Sequence, residues 1–464
     1  MAAPTPQIDL KARAWEGARL ILQESLSLGT GDSLVLFHDE QGVASANLFA
    51  EVARSLRLRY AARFVPHERQ AAYAPGAGRG ISEEDNAALA GADGVLVCFA
   101  ESLKTSAYRR QLMERGAAEQ RVLGTFAPSL AALAQAAVRA HGPEQAQRCD
   151  DLAMILLRGR EAELTTAVLD ARGDVIEEHS LTVALGGHKR CPVTCGGPIA
   201  AGTWARLPAP EVSVAPMEGT ANGVFVLNGA FPGGVMTGHE HLLLVFASGR
   251  LEMAGGNSPR VGEFWNVVEA GKTLGAPPLG LSELGVRLWD ASCDTPQQSL
   301  LQLCLGDNTG VGGALRSPVQ EMMLSRGASL RVDGRPVMRD GKFVYDAAVW
   351  QESRATAQQL ASQVTGELVI SRTENVAHAD ASGRLRVMRH VGRQRVCSYT
   401  LGDADLSGRL CDLYGHLTES PEPITISALS RQCLPGTLAA NLVELRGMLG
   451  VLEQHRLIEI RQAS

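Results

Sequence analysis

No stretch of about eighteen consecutive apolar residues, the length that crosses a bilayer, occurs anywhere in this chain. Its start also lacks a basic segment followed by an apolar one, so neither a membrane protein nor a secreted one is expected, and a cytoplasmic location is. Positive charge is not in excess. Lys and Arg number 44 against 50 Asp and Glu, a net charge of −6, which argues against broad nucleic-acid binding. Nine cysteines, an odd number scattered through 464 residues, point to reduced thiols rather than a disulfide framework. The segment Gly76–Gly80 is glycine-rich, but it follows no clear strand and lacks the dinucleotide-binding spacing. It reads as a loop.

What is present begins as an alternation of helices and strands. Ala14, Ala18, Ile21, Leu22 and Leu26 recur at helical spacing over 12–28 and stop at Gly29-Thr30-Gly31-Asp32. The short apolar run Ser33–Phe37 reads as a buried strand, and a helix over about 43–56 leads to a strand at Tyr60–Val65. Gly94–Phe99 repeats the strand signal, with helices around 104–116 and 128–140. Such alternation predicts a parallel sheet covered by helices, an α/β domain over 1–160.

From 161 to 350 the pattern changes to short strands with Gly and Pro turns, a β-rich α+β domain. Within it, His188, Cys191 and Cys195 have the spacing of a partial zinc site, but a fourth ligand is missing nearby and structural thiols fit better. His239 and His241 lie two apart, on one face of an expected strand. The stretch Leu207–Phe231 is the best defined: a proline-rich extended segment carrying Glu211, then the apolar strand Val224–Leu227 bounded by Gly and Asn. Taken alone, Glu211 reads as a cap for backbone amides ahead of a ligand or a base.

The run Leu207-Pro208-Ala209-Pro210-Glu211-Val212-Ser213-Val214-Ala215-Pro216 resembles the first signature of the aminopeptidase T family of metallopeptidases. Further matches follow in order at Ser282–Val286, Leu305–Asn308, Gly312-Gly313, Arg316-Ser317, Val332–Gly334 and Asp340-Gly341, so the likeness extends to about residue 345. It implies that two metal carboxylates fall on Glu211 and Glu283. The family's histidine four residues before Gly306 is here Gln302, and its His-x-Asp after Ser317 is Gln320-Glu321-Met322. Gln is a weak neutral oxygen ligand and Met a soft one, so the resemblance implies a kept fold and a dismantled metal site. The same three positions hold iron in related ring-cleaving dioxygenases, whose chemistry is then not expected either. Two carboxylates that share no metal repel, so one is expected to be protonated or paired with a basic group, for which Arg316 is a candidate.

Beyond residue 350 that resemblance ends. Residues 351–366 read as a helical connector. The segments Leu368–Thr373, Arg384–Val391 and Arg395–Leu401 read as strands, the last two joined by a turn at Gly392. Helices are expected at 405–417, started by Asp403 or Asp405, then from Ser427 to Cys433, and after Leu434-Pro435-Gly436 from Thr437 onward. Three strands and then three helices over 367–464 give a winged-helix layout. It resembles the precursor-recognition element of ribosomally made, modified peptides, in which a leader peptide adds as a strand beside the third strand. Arg384, Arg386, Arg389, Arg393 and Arg395 suit an acidic leader, although charge on an edge strand also serves to prevent aggregation. The whole combination resembles the peptide-binding proteins of crocagin-type pathways.

Three functions follow. In the first, a pseudo-aminopeptidase with no catalytic residue, no metal and no cofactor binds a precursor peptide and presents it to tailoring enzymes. Glu211, Glu283, Gln302, Arg316, Gln320 and Met322 then line the former groove, and Arg384, Arg386, Arg389, Arg395, Val396 and Tyr399 hold the leader. The second is an active metallo-aminopeptidase or related hydrolase whose site is rebuilt from His188, His239, His241 or Glu218. The third is a DNA-binding regulator, for which the final helix offers few cations. A homodimer is implied by the resemblance alone.

Overall fold

The computed structural model describes residues 10–66, 81–99, 107–116, 121–126, 130, 133–134, 143–195, 199, 203–207, 210–231, 234–273, 279–288, 299–317, 320–351, 354–361, 363, 368–373, 375–379, 383–391, 395–419, 422–433 and 438–462. For some of these, including Arg389, Arg395 and Val396, it describes the backbone alone. The Gly76–Gly80 loop, most of the expected 128–140 helix, the Gly392 turn with Arg393, the Leu434–Gly436 break and Thr437 lie outside the described residues.

The N-terminal strands Ser33–His38, Arg59–Phe64, Gly94–Phe99 and Arg121–Phe126 form a parallel sheet. Its fifth strand, Thr203–Leu207, returns from beyond residue 160 and pairs with Arg121–Phe126. Because side chains alternate along a strand, Leu34, Leu36, Leu96 and Cys98 enter one core and Val35, Phe37, Val95 and Val97 another. Both faces are therefore buried under helices such as Leu10–Leu20, Val43–Ser55 and Ala107–Gly116, as the unbroken apolar strand sequences require.

Two larger antiparallel sheets follow, one of eight strands and one of seven among the described residues. Inward-facing residues of the first (Leu164, Leu181, Phe225, Leu244, Leu330) join those of the second (Val212, Val214, Leu284, Val286, Leu303) in one core. The helix Pro143–Arg158 adds Leu152, Ile155 and Leu156 to it. Layers of this kind bury one face of each sheet and leave the other free to carry polar groups.

In the C-terminal part, the three expected strands do not share a sheet. Leu368–Arg372 pairs with the terminal strand Ile458–Gln462 and with the two-residue strand Ile424-Thr425. Leu385–Val391 and Arg395–Thr400 pair with each other, and their third strand is Val376–Ala379. The sequence reading missed that segment because its four residues are too few for a periodic signal. Helices run Ala404–Glu419, Ile426–Cys433 and Leu438–Gln454. Asp403 caps the first, its Oδ1 accepting from the Leu406 amide at 2.9 Å. The second is capped by Thr425 rather than Ser427, with Thr425 Oγ1 accepting from the Ala428 amide at 3.3 Å. The connector helix Arg354–Ala361 packs on the last helix at Gly447, where an added Cβ would lie 2.4 Å from the Ala357 carbonyl oxygen. No helix among the described residues is long and apolar enough to cross a membrane.

A carboxylate site filled by an arginine

The outer face of the seven-stranded sheet gathers the residues the sequence singled out. Strand Leu281–Arg287 lies between Glu211–Val214 and Leu300–Gly306, with Arg287 opposite Glu211, Gly285 opposite Gln302 and Glu283 opposite Cys304. Met322, on the next strand, pairs with Cys304. Alternation sends Leu284 and Val286 to the core and turns Glu283, Gly285 and Arg287 to the outer face. Glu211 thus sits in a strand rather than in a proline-stiffened loop, and only 4 % of it is exposed.

Buried carboxylates need positive or donating partners, and here a guanidinium supplies them. Arg287 Nε donates to Gln302 Oε1 at 2.9 Å and lies 3.5 Å from Glu211 Oε2, with both side chains 5 % exposed. Its Nη2 points to Met322 Sδ at 2.8 Å. Gln302 Nε2 donates to Glu283 Oε1 at 3.4 Å, and Gln320 Nε2 donates to Glu283 Oε2 at 3.3 Å. Glu283 and Gln302 are wholly buried. The result is one connected network, Glu211–Arg287–Gln302–Glu283–Gln320, with Met322 at its side. Ser213, on the same face, is buried with its hydroxyl unpartnered among the described residues.

Arg287 was absent from the sequence reading. A signal existed, since Glu283 and Arg287 are four apart in an apolar strand, an even spacing that puts them on one face. Arg316, expected to neutralise the carboxylates, is exposed and makes none of these contacts. It cannot take that role from the surface, and Arg287 has it.

A dinuclear metal centre does not fit this donor set. It needs several anionic or imidazole ligands around an open position, whereas here two carboxylates face two amides, a thioether and a fixed cation. Among the described residues no three of His, Cys, Asp and Glu group to hold a metal ion. The residues offered for a rebuilt site are dispersed. Glu218 pairs with Arg190 and accepts from Asn308 Nδ2 at 3.1 Å and the Ala314 amide at 2.8 Å. Burial opposes its ionisation, but these hydrogen bonds and the Arg190 charge prevail and hold it below the usual carboxylate range. His188 packs edge-on to His455, with ring centroids 4.8 Å apart. His239 and His241 lie in a turn before a strand, not on one, and His241 Nδ1 sits 3.1 Å from the His239 carbonyl. Cys191 is buried, and the Cys195 side chain lies outside the described residues.

The residues proposed for the leader are engaged in holding the C-terminal part to the body. Arg386 makes a two-pronged ion pair with Asp150 on the helix Pro143–Arg158, one arm at 2.9 Å. Arg384 donates to the Gly402 carbonyl at 3.2 Å and to Gln351 at 3.4 Å. Tyr399 is fully buried, its hydroxyl 2.9 Å from His455 Nδ1. Its strand, Arg395–Thr400, lies against the helix Pro143–Arg158 and the strands Val193–Cys195 and Thr203–Leu207. A peptide therefore does not find Arg384, Arg386 and Tyr399 on an open edge. The side chains of Arg389, Arg395 and Val396 lie outside the described residues.

Fold and site together define a mixed α/β protein built on several sheets, with a buried charged cluster on the outer face of one of them. Its backbone is similar to 2,5-dihydroxypyridine dioxygenase from Pseudomonas putida KT2440, at TM-score 0.50 and 16 % identity over 74 % of this chain and 99 % of that one. Wild-type AmpT from Thermus thermophilus superposes at TM-score 0.46 and 16 % identity, over 72 % of this chain and 100 % of that one. At such identity the likeness to the dioxygenase shows the fold alone. No family model and no curated protein matches the sequence.

Proposed function

We propose that this chain is a peptide-binding protein that works without a metal, and that it presents a ribosomally made precursor peptide to the enzymes that modify it. One observation carries the reading: the Arg287 guanidinium lies 3.5 Å from Glu211 and 2.9 Å from Gln302, where a hydrolase or dioxygenase of this fold would need ligands for an ion. A cation supplied by the chain neutralises the carboxylates and gives no Lewis acid or activated water. The precursor-peptide assignment rests on the sequence resemblance, and the strand-rich C-terminal part supplies edges to which an extended peptide can add.

Two measurements test this. Elemental analysis follows incubation with zinc, manganese or iron(II), and a displayed library of random peptides is selected against the full chain. Selected peptides are then synthesised and titrated by fluorescence anisotropy. Saturable binding with substoichiometric metal is expected. About two metal ions per chain, as a two-metal hydrolase requires, would overturn the reading, and so would a selection that yields no binder.

A further inference from the structure

The strand Leu368–Arg372 is paired along its whole length on one side and only in part on the other. Its five residues match Ile458–Gln462, but across the sheet only Val369 and Ile370 meet Thr425 and Ile424. The residues before Ile424, Pro423 and Glu422, are not in a strand. Among the described residues no strand pairs with Ser371–Thr373 on this side, and beside them lies a groove of about 420 Å³. Ile370, Tyr414 and Leu417 are buried and give it an apolar floor, while Arg372, Val376 and Glu422 stand exposed at its rim.

The direction of the backbone groups follows from one hydrogen bond. The Thr373 amide donates to the Leu457 carbonyl at 3.2 Å, away from the groove. Strand alternation then turns the N–H and C=O of Arg372 toward it. The Arg372 side chain is exposed and has no ion-pair partner among the described residues. An open donor–acceptor pair, an apolar floor and an exposed guanidinium are what an extended peptide with an apolar and an acidic side chain would meet.

We infer that this groove takes an extended, acidic peptide segment, which adds as a strand beside Ser371–Thr373 in continuation of Ile424-Thr425. An apolar side chain rests on Tyr414 and Leu417, and a carboxylate meets Arg372. The inference rests on the peptide-binding reading and moves the docking site away from the covered strand Arg395–Thr400.

The test uses the full chain and the synthesised library peptides, together with two probe decapeptides, one alternating Asp with Val and one alternating Lys with Val. Hydrogen exchange maps which amides each peptide protects. The acidic probe is expected to protect the Arg372 amide and to outbind the basic one. Arg372→Glu should weaken it about five- to tenfold and reverse the preference, while Arg372→Lys largely restores it. Because Arg372 is exposed, the melting temperatures of both variants serve as a folding control. Library peptides that bind without protecting Arg372, and equally well to Arg372→Glu, overturn this site and leave the peptide-binding reading standing. Failure of both probes with protection mapped elsewhere overturns it too, and a library that yields no binder refutes both.

Discussion

Replacing Arg287 by Met keeps the length of the side chain and removes its charge. Glu211 then loses the cation 3.5 Å from its carboxylate, and Gln302 Oε1 loses the donor at 2.9 Å, with both residues buried. Removing one member of a buried ion pair costs about 3–5 kcal/mol, because the remaining charge is left without compensation in a low-dielectric setting. At ~2–4 °C per kcal/mol for a body of this size, Arg287→Met should melt about 6–20 °C below the parent in differential scanning calorimetry. Adding Glu211→Gln to the variant removes the stranded charge and should recover part of the loss, with a coupling of roughly 1 kcal/mol or more. A single variant that melts with the parent, or two substitutions whose effects simply add, would refute the claim that Arg287 neutralises this site.

The same site predicts a metal response. Arg287→Ala frees the Glu211 carboxylate and the Gln302 amide oxygen, hard oxygen donors suited to manganese. Millimolar Mn²⁺ should raise the melting temperature of that variant and not of the parent, and an unresponsive variant would count against the placement of the carboxylates. Gly285 sits between Glu283 and Arg287, where an added Cβ would lie 2.9 Å from Ser213 Cβ and 3.1 Å from the Val212 carbonyl oxygen. Gly285→Ala should therefore destabilise by about 1–3 kcal/mol in urea unfolding, and a neutral result would mean the neighbouring strand yields freely. Burial, partly countered by Arg386, pushes Asp150 from 3.8 up to about 6. A carboxyl raised on folding adds stability at pH below 3.8 that is lost as pH rises through about 6, so stability should fall across that window. Asp150→Asn should flatten this part of a melting-temperature profile against pH, and a variant profile parallel to the parent would contradict it.

Much of the fold was legible because its signals are local. The apolar runs Ser33–Phe37 and Gly94–Phe99 became central strands of a parallel sheet, since a strand buried on both faces carries no polar alternation. Leu406, Leu410, Leu413 and Leu417 recur at helical spacing and line the buried side of the helix Ala404–Glu419. The candidate site was half legible. Glu211, Glu283, Gln302, Gln320 and Met322 come from four separate strands, and the sequence resemblance named all of them. Arg287 escaped because an arginine at a strand end reads as a surface residue until the strands on either side are known. The partners of Arg384, Arg386 and Tyr399 were hidden for a similar reason. A basic hairpin gives no sign in sequence that Asp150, more than two hundred residues earlier, will meet it.

The sequence by itself determined the longer helices and the apolar strands, because period and composition act through neighbours a few residues apart. It also determined that Gln302, Gln320 and Met322 offer no imidazole, which needs only their identity. Tertiary structure alone decided what neutralises the two carboxylates and which strand edges stay open. Both depend on the register of strands far apart in the chain, and a shift of one residue would turn Arg287 from Glu211 toward the core.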